Sequence, residues 1–279
     1  MSPAAIREEP FALGPPGAVL RGLLALPPEP ALVVTINGAT GVPARFYQPF
    51  ARWLAAERNA AVLTWDYRDF GASGAPYRSS ACMTDWALHD PVSVRQALRA
   101  RFPGLPLWLI GHSLGGIAAG FQADIGDLDR VITVAAGHGH ISDHPAGMRI
   151  RASLLWYLLG PVSTAALGYL PARWLGLGLD LPKGVFWQWR RWLLDRGGPP
   201  ADPSLGGLRR PGITGPLTMI ALSDDTMLPP ASVERMRAWH PGAEIDYRLI
   251  RPGDAGLAAI GHIQAFHSRN AVLWPRLIA

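Results

Sequence analysis

At 279 residues, 49% hydrophobic and 17% charged, the chain is too apolar and too weakly charged for intrinsic disorder and long enough to bury a large core. Its net charge of +5 comes almost wholly from scattered arginines whose longest runs are the pairs Arg190–Arg191 and Arg209–Arg210. Without a clustered basic face, nucleic acid is not expected as a partner. Cys82 is the only cysteine, so no internal disulfide can form, and no basic segment followed by an apolar run opens the chain. A reducing, cytoplasmic setting is expected.

Strands are expected over Ala18–Leu26 and Ala31–Ile36, the second apolar throughout as in strands buried on both faces. Phe46, Phe50, Trp53 and Leu54 give Arg45–Arg58 a helical spacing, and Ala60–Trp65 is the next buried strand. A helix is expected over Cys82–Arg101, with Trp86, Val94, Ala97 and Leu98 on one side and Pro91 as a point of kinking or breaking. Leu107–Ile110 (strand), Leu114–Ala123 (helix) and Val131–Ala135 (strand) follow. From His138 to Gly212 buried strands are hard to find and Trp is common. The alternation then resumes with Leu217–Leu222 (strand), Ala231–Trp239 (helix), Glu244–Leu249 (strand) and Ile263–Trp274 (helix). This order predicts an α/β core, residues 1–137 and 213–279, with a mostly parallel sheet covered on both faces and interrupted by a helical insertion over 138–212.

The strongest chemical signal is Gly111-His112-Ser113-Leu114-Gly115-Gly116, between a short apolar strand and a helix of small residues. In this context G-x-S-x-G forms a tight strand-to-helix turn that exposes the serine as a nucleophile. The N–H of Leu114 then points at the oxygen that becomes negative during acyl transfer. His112 is expected to be structural. A serine nucleophile needs a base within hydrogen-bond reach and an acid to orient that base. Ser223-Asp224-Asp225 follows a strand, and Gly261-His262 precedes the last predicted helix. His267 and His240 are weaker candidates for the base, because His267 falls inside that helix and His240 closes another.

These motifs resemble the α/β-hydrolases. Asp225, three residues and then Pro229 look like the acid loop of that superfamily, and Gly261-His262 looks like its histidine loop. The resemblance implies Ser113, Asp225 and His262 as the triad, with Asp224 the alternative acid. Asn37-Gly38-Ala39-Thr40-Gly41 occupies the position of the loop that often begins His-Gly, which implies Ala39 as the second oxyanion N–H donor with Thr40 as the fallback. Asp66-Tyr67-Arg68-Asp69-Phe70-Gly71 is similar to a common Asp-x-Arg-Gly-x-Gly loop, with Asp69 where the pattern has Gly. It implies a structural Arg–carboxylate lock. The details look most like a group of bacterial hydrolases without a settled substrate.

The resemblance also implies that the insertion is a lid over Ser113, with His138, His140, Trp156 and Trp187 as lid or pocket residues. Ala152–Ala172 carries no charge and has the length of a membrane span, but Gly160-Pro161 interrupts it. Two short lid helices are expected, with loose membrane contact through the lid as a lesser alternative. His138 to His144 holds three His and one Asp, a cluster that could bind zinc, but its spacing departs from known patterns and no metal is expected. The expectation is an α/β-hydrolase fold with a helical lid. Its function is that of a serine hydrolase without cofactor, acting on a small ester or thioester with an apolar acyl group. Other triad chemistry (amide, C–C, acyl transfer, perhydrolysis) or a non-catalytic binding role is the alternative, and the oligomeric state stays open.

Overall fold

The computed structural model describes residues 5–14, 19–206 and 212–279. Its centre is an eight-stranded sheet in the order β1-β2-β4-β3-β5-β6-β9-β10. The strands are β1 (Arg7–Leu13), β2 (Leu20–Leu26), β3 (Leu32–Asn37), β4 (Ala60–Asp66), β5 (Leu107–His112), β6 (Arg130–Val134), β9 (Pro216–Leu222) and β10 (Glu244–Ile250). β1 pairs antiparallel with β2 and β2 antiparallel with β4; every other pairing is parallel. A two-residue ribbon, β7 (Tyr169–Leu170) with β8 (Leu181–Pro182), lies apart from this sheet.

Successive side chains of a strand point to opposite faces, so an all-apolar strand serves two cores at once. Val33, Leu63, Leu109, Val131 and Met219 share one core with Trp86, Val94 and Leu98 and with Val233 and Met236 of α7 (Pro230–Met236). Their neighbours Val34, Val62, Ile110, Ile132 and Ile220 share the other with Phe50 and Leu54 of α1 (Gln48–Arg58) and with Trp274 and Leu277 of α8 (Trp274–Ile278). The predicted sandwich of helices on both faces is thereby observed.

Proline shapes two helices by one device. α2 (Asp90–Arg101) is continuous with a π-turn at Asp85–His89, and Pro91 lies just past that turn. α4 (Ala146–Leu154) runs through a π-turn at Leu155–Leu159 into α5 (Gly160–Leu167), with Pro161 in the same relation. Proline has no N–H and its ring crowds the carbonyl one turn back. The wider turn, closed by Asp90 N–H to Asp85 C=O and Gly160 N–H to Leu155 C=O, lets each helix carry on. The two short helices expected around Gly160-Pro161 are therefore one helix, Ala146–Leu167.

Two further expectations need correction. Arg7–Leu13 forms a strand that the sequence does not predict, since its charges and Pro10 hide any alternation. The helix expected over Ile263–Trp274 is instead two 3₁₀ stretches, Gln264–Phe266 and Ser268–Leu273, before α8. His267 has extended backbone and accepts from Arg269 N–H, Asn270 is non-helical, and Pro275 can stand only in the first turn of α8.

Candidate active site

The parallel order reverses between β3 and β5, where connections leave in opposite directions and open a crevice at the carboxyl ends of the strands. The loops after both strands meet there. Ser113 takes φ 51° and ψ −114°, a strained conformation for a residue with a side chain. It sits between β5 and α3 (Leu114–Ile117), and its C=O accepts from Gly116 and Ile117 N–H at 3.0 and 2.8 Å. The turn depends on absent side chains. A Cβ on Gly115 would come within 2.1 Å of Asn37 O, and one on Gly111 within 2.5 Å of Gly116 N.

Ser113, His262 and Asp225 form one hydrogen-bonded chain. The Ser113 hydroxyl is 3.0 Å from His262 Nε2, and His262 Nδ1 is 2.7 Å from Asp225 Oδ2. The carboxylate only accepts, so the imidazole proton belongs on Nδ1, which leaves Nε2 free to take the serine proton. Asp225 is 3% exposed, and its second oxygen accepts from Met227 and Leu228 N–H at 2.8 and 2.9 Å. The carboxylate is thus fixed on both sides. Asp224 faces elsewhere. One of its oxygens accepts from Ile260 and Gly261 N–H at 2.7 and 3.0 Å, which ties the acid loop to the histidine loop.

The assignment of Ala39 as oxyanion donor needs correction. Its N–H donates to the Tyr47 hydroxyl at 2.9 Å and is not free for a substrate oxygen. The fallback residue, Thr40, borders the cleft beside Ser113 and Leu114. Leu114 is the first residue of α3, so its N–H is one of the donors a helix start leaves unpaired. The loop is held by two phenols, since the Tyr67 hydroxyl donates to Gly38 C=O at 2.9 Å.

Tyr47 also donates to His112 Nδ1 at 2.8 Å, and His112 Nε2–H donates to His262 C=O at 2.9 Å. The elbow's buried histidine thus links the loop after β3 to the loop that carries His262. Nothing in the motif showed this; only the apolar neighbourhood of Phe46-Tyr47 could have hinted at it. Burial, then the neighbouring His262, hold the His112 pKa down from 6.5 to about 3, and burial holds His240 at about 4. The sign of the linkage follows. Below about pH 6.5 the unfolded imidazoles take protons that the native ones refuse until pH 3–4, so stability falls as pH drops through that window. Urea unfolding at pH 7 and pH 4.5 should show a loss on the order of a few kcal/mol, smaller in His112→Gln. Parallel losses in both proteins would mean that His112 is not held neutral by burial.

A cavity of about 500 Å³ opens at Ser113 and His262. It is walled by Met148, Ala152, Leu155, Trp156, Leu175, Leu177, Trp189, Leu193 and Leu228, with His144 and Arg151 as its other polar residues. Trp156 lines it as expected. The three other pocket expectations do not hold. Trp187 lies outside under the Arg190 guanidinium, because α6 (Lys183–Leu194) turns Trp189 and Leu193, four residues apart, toward the cavity. His138 packs on Trp239, and the His140 ring bonds Ser142, so neither side chain reaches the cleft. His144, from the same cluster, does. Asp143 pairs with Arg235, so these four side chains point apart.

The Arg68 lock expected in the loop after β4 is present. Its guanidinium meets Asp90 and Asp85, and Asp66 accepts from Ala44 and Ala72 N–H. Asp69, in the place of a glycine, takes φ 56°.

The family model described as Hydrolase_4: Serine aminopeptidase, S33 matches residues 27–162. Over 88 residues the chain is 43% identical to a candidate monoglyceride lipase of Schizosaccharomyces pombe, a stretch that spans 31% of this chain and 22% of that protein. Two solved structures resemble it over nearly the whole length at low identity. DcsB in complex with a substrate analogue has a TM-score of 0.65 at 13% identity, covering 98% of each chain. A highly thermostable carboxyl esterase from Bacillus coagulans has a TM-score of 0.60 at 12% identity, covering 88% of this chain and 91% of that one. With this strand order and the elbow after β5, the chain has the α/β-hydrolase fold, and over residues 27–162 it is similar to the Hydrolase_4 family.

Proposed function

We propose that the protein is a serine hydrolase that cleaves carboxylic esters or thioesters with an apolar acyl group. The observation that carries this reading is the Asp225–His262–Ser113 chain at the base of an apolar cavity. In the reaction Ser113 Oγ attacks the carbonyl carbon while His262 Nε2 takes its proton. The negative oxygen that forms is held by the N–H groups of Leu114 and Thr40, each worth about 3 kcal/mol in the transition state. His262 returns the proton to the leaving alcohol or thiol, and Ser113 keeps the acyl group. A water that loses a proton to His262 then attacks the ester carbon, and Ser113 leaves with the proton as the acid departs.

Chemistry of the cavity favours esters over peptides. Its wall holds no Asp or Glu among the described residues, so a peptide's ammonium terminus would meet no counter-charge, whereas acyl chains match the lining. The helical segment between β6 and β9 supplies most of that wall, which supports its reading as a lid.

Two measurements test the proposal together. A fluorophosphonate probe should label the native protein at Ser113, and an apolar ester should compete. With p-nitrophenyl esters of graded length, Ala152→Phe should shift the preference to shorter chains by lowering kcat/KM for the longest about tenfold or more, since a phenyl ring would fill space the chain needs. An unlabelled but folded protein would sink the serine reading. An unchanged length profile in Ala152→Phe would place the acyl group elsewhere.

A further inference from the structure

The outer side of the Ala146–Leu167 helix is unlike the rest of the surface. From His144 to Leu179 the sequence holds no Asp or Glu; its formal charges are Arg149, Arg151 and Arg173, and Arg173 pairs with Asp180. The helix buries Ala152, Trp156, Gly160 and Thr164 against the protein. Its other side exposes Ile150, Leu154, Tyr157, Leu158, Leu159 and Val162, with Ile150 at 70% and Val162 at 59%, and Trp174 nearby in sequence is 79% exposed. Exposed apolar side chains gathered along one side of a helix mark an interaction surface.

Three observations say what it meets. First, Leu154, Leu159 and Arg151 belong both to the exposed helix and to the wall of the Ser113 cavity, so the cavity opens through the patch. Second, Arg149 and Arg151 stand in a stretch without carboxylates, which favours an anionic partner and disfavours a second copy of the same face. Third, exposed Trp174 and Tyr157 are the side chains that settle at head-group level. A helix buried along one side lies in the interface plane and does not span it.

We propose that this face docks on a lipid bilayer bearing anionic head groups, with the cavity mouth turned to the lipid. Its use for substrate capture rests on the ester-hydrolase reading; the docking itself does not.

The test is sedimentation of the full chain with sucrose-loaded phosphatidylcholine vesicles, with and without phosphatidylglycerol. Native protein and Ser113→Ala should bind the phosphatidylglycerol vesicles alike, so that docking is read independently of chemistry. Arg149→Gln should weaken binding about fivefold. The double substitution Ile150→Asp with Val162→Asp should weaken it about tenfold or more while leaving hydrolysis of a short soluble ester unchanged. Native protein left in the supernatant would overturn the proposal, as would undiminished binding by the double variant. So would a concentration-dependent dimer in sedimentation velocity that the double substitution dissolves while vesicles capture nothing.

Discussion

Ser113→Ala and His262→Ala should each lower kcat for a p-nitrophenyl ester by about 10⁵-fold, or about 7 kcal/mol of barrier. The size follows from the geometry. The hydroxyl at 3.0 Å from Nε2 and the imidazole at 2.7 Å from Asp225 act as one unit, and neither half does the work alone. The double variant should therefore be no slower than either single one. Multiplying losses would mean that the two residues act in separate steps. A residual rate about 10³-fold above water should remain, because the cavity and the N–H groups of Leu114 and Thr40 are untouched. Small losses, below about tenfold, would remove Ser113 from the chemistry whatever its contacts. Folding is checked by matching thermal unfolding, and Ser113→Ala should keep most of its stability, since the hydroxyl bonds His262 at the cavity and belongs to neither apolar core.

What was legible in the sequence divides by the kind of physics involved. The apolar strands and the elbow were readable because each is a local pattern. Val33-Val34 and Leu109-Ile110 must be buried on both faces, and Gly111 and Gly115 stand where the backbone allows no Cβ. The grouping of Ser113, Asp225 and His262 was readable because their order along the chain reflects the order of loops at one end of the sheet. Contacts between distant segments were not readable. Ala39 is the donor by position, yet Tyr47, eight residues on, takes its N–H; only the folded loop decides between Ala39 and Thr40. Trp187 and Trp189 are equally plausible as pocket residues until the phase of α6 is known. Gly160-Pro161 looks like a break, and a π-turn two residues earlier lets the helix pass. The strand Arg7–Leu13 leaves little trace because it is an edge strand with one partner and much of its side-chain surface in water.

Asp225→Asn should lower kcat about 10⁴-fold with little change in KM, because it reverses the proton arrangement on His262. The amide carbonyl can keep the N–H bonds from Met227 and Leu228, which leaves the NH₂ facing Nδ1. Nδ1 must then accept, the imidazole proton moves to Nε2, and Nε2 can no longer take a proton from Ser113. Asp224→Asn provides the contrast. Its task is to accept from Ile260 and Gly261 N–H, which an amide oxygen performs equally well, so kcat should stay within about tenfold of native. Asp224→Ala would leave both N–H groups without their partner and should cost about 1–3 kcal/mol in urea unfolding, with catalysis affected only through a looser histidine loop. Equal losses of kcat in Asp224→Asn and Asp225→Asn would sink the assignment of the acid. A large loss in Asp224→Asn alone would exchange the two roles. The adjacent carboxylates are thus told apart by what an amide can imitate, which is an acceptor for backbone N–H groups but not the acceptor that sets an imidazole's tautomer.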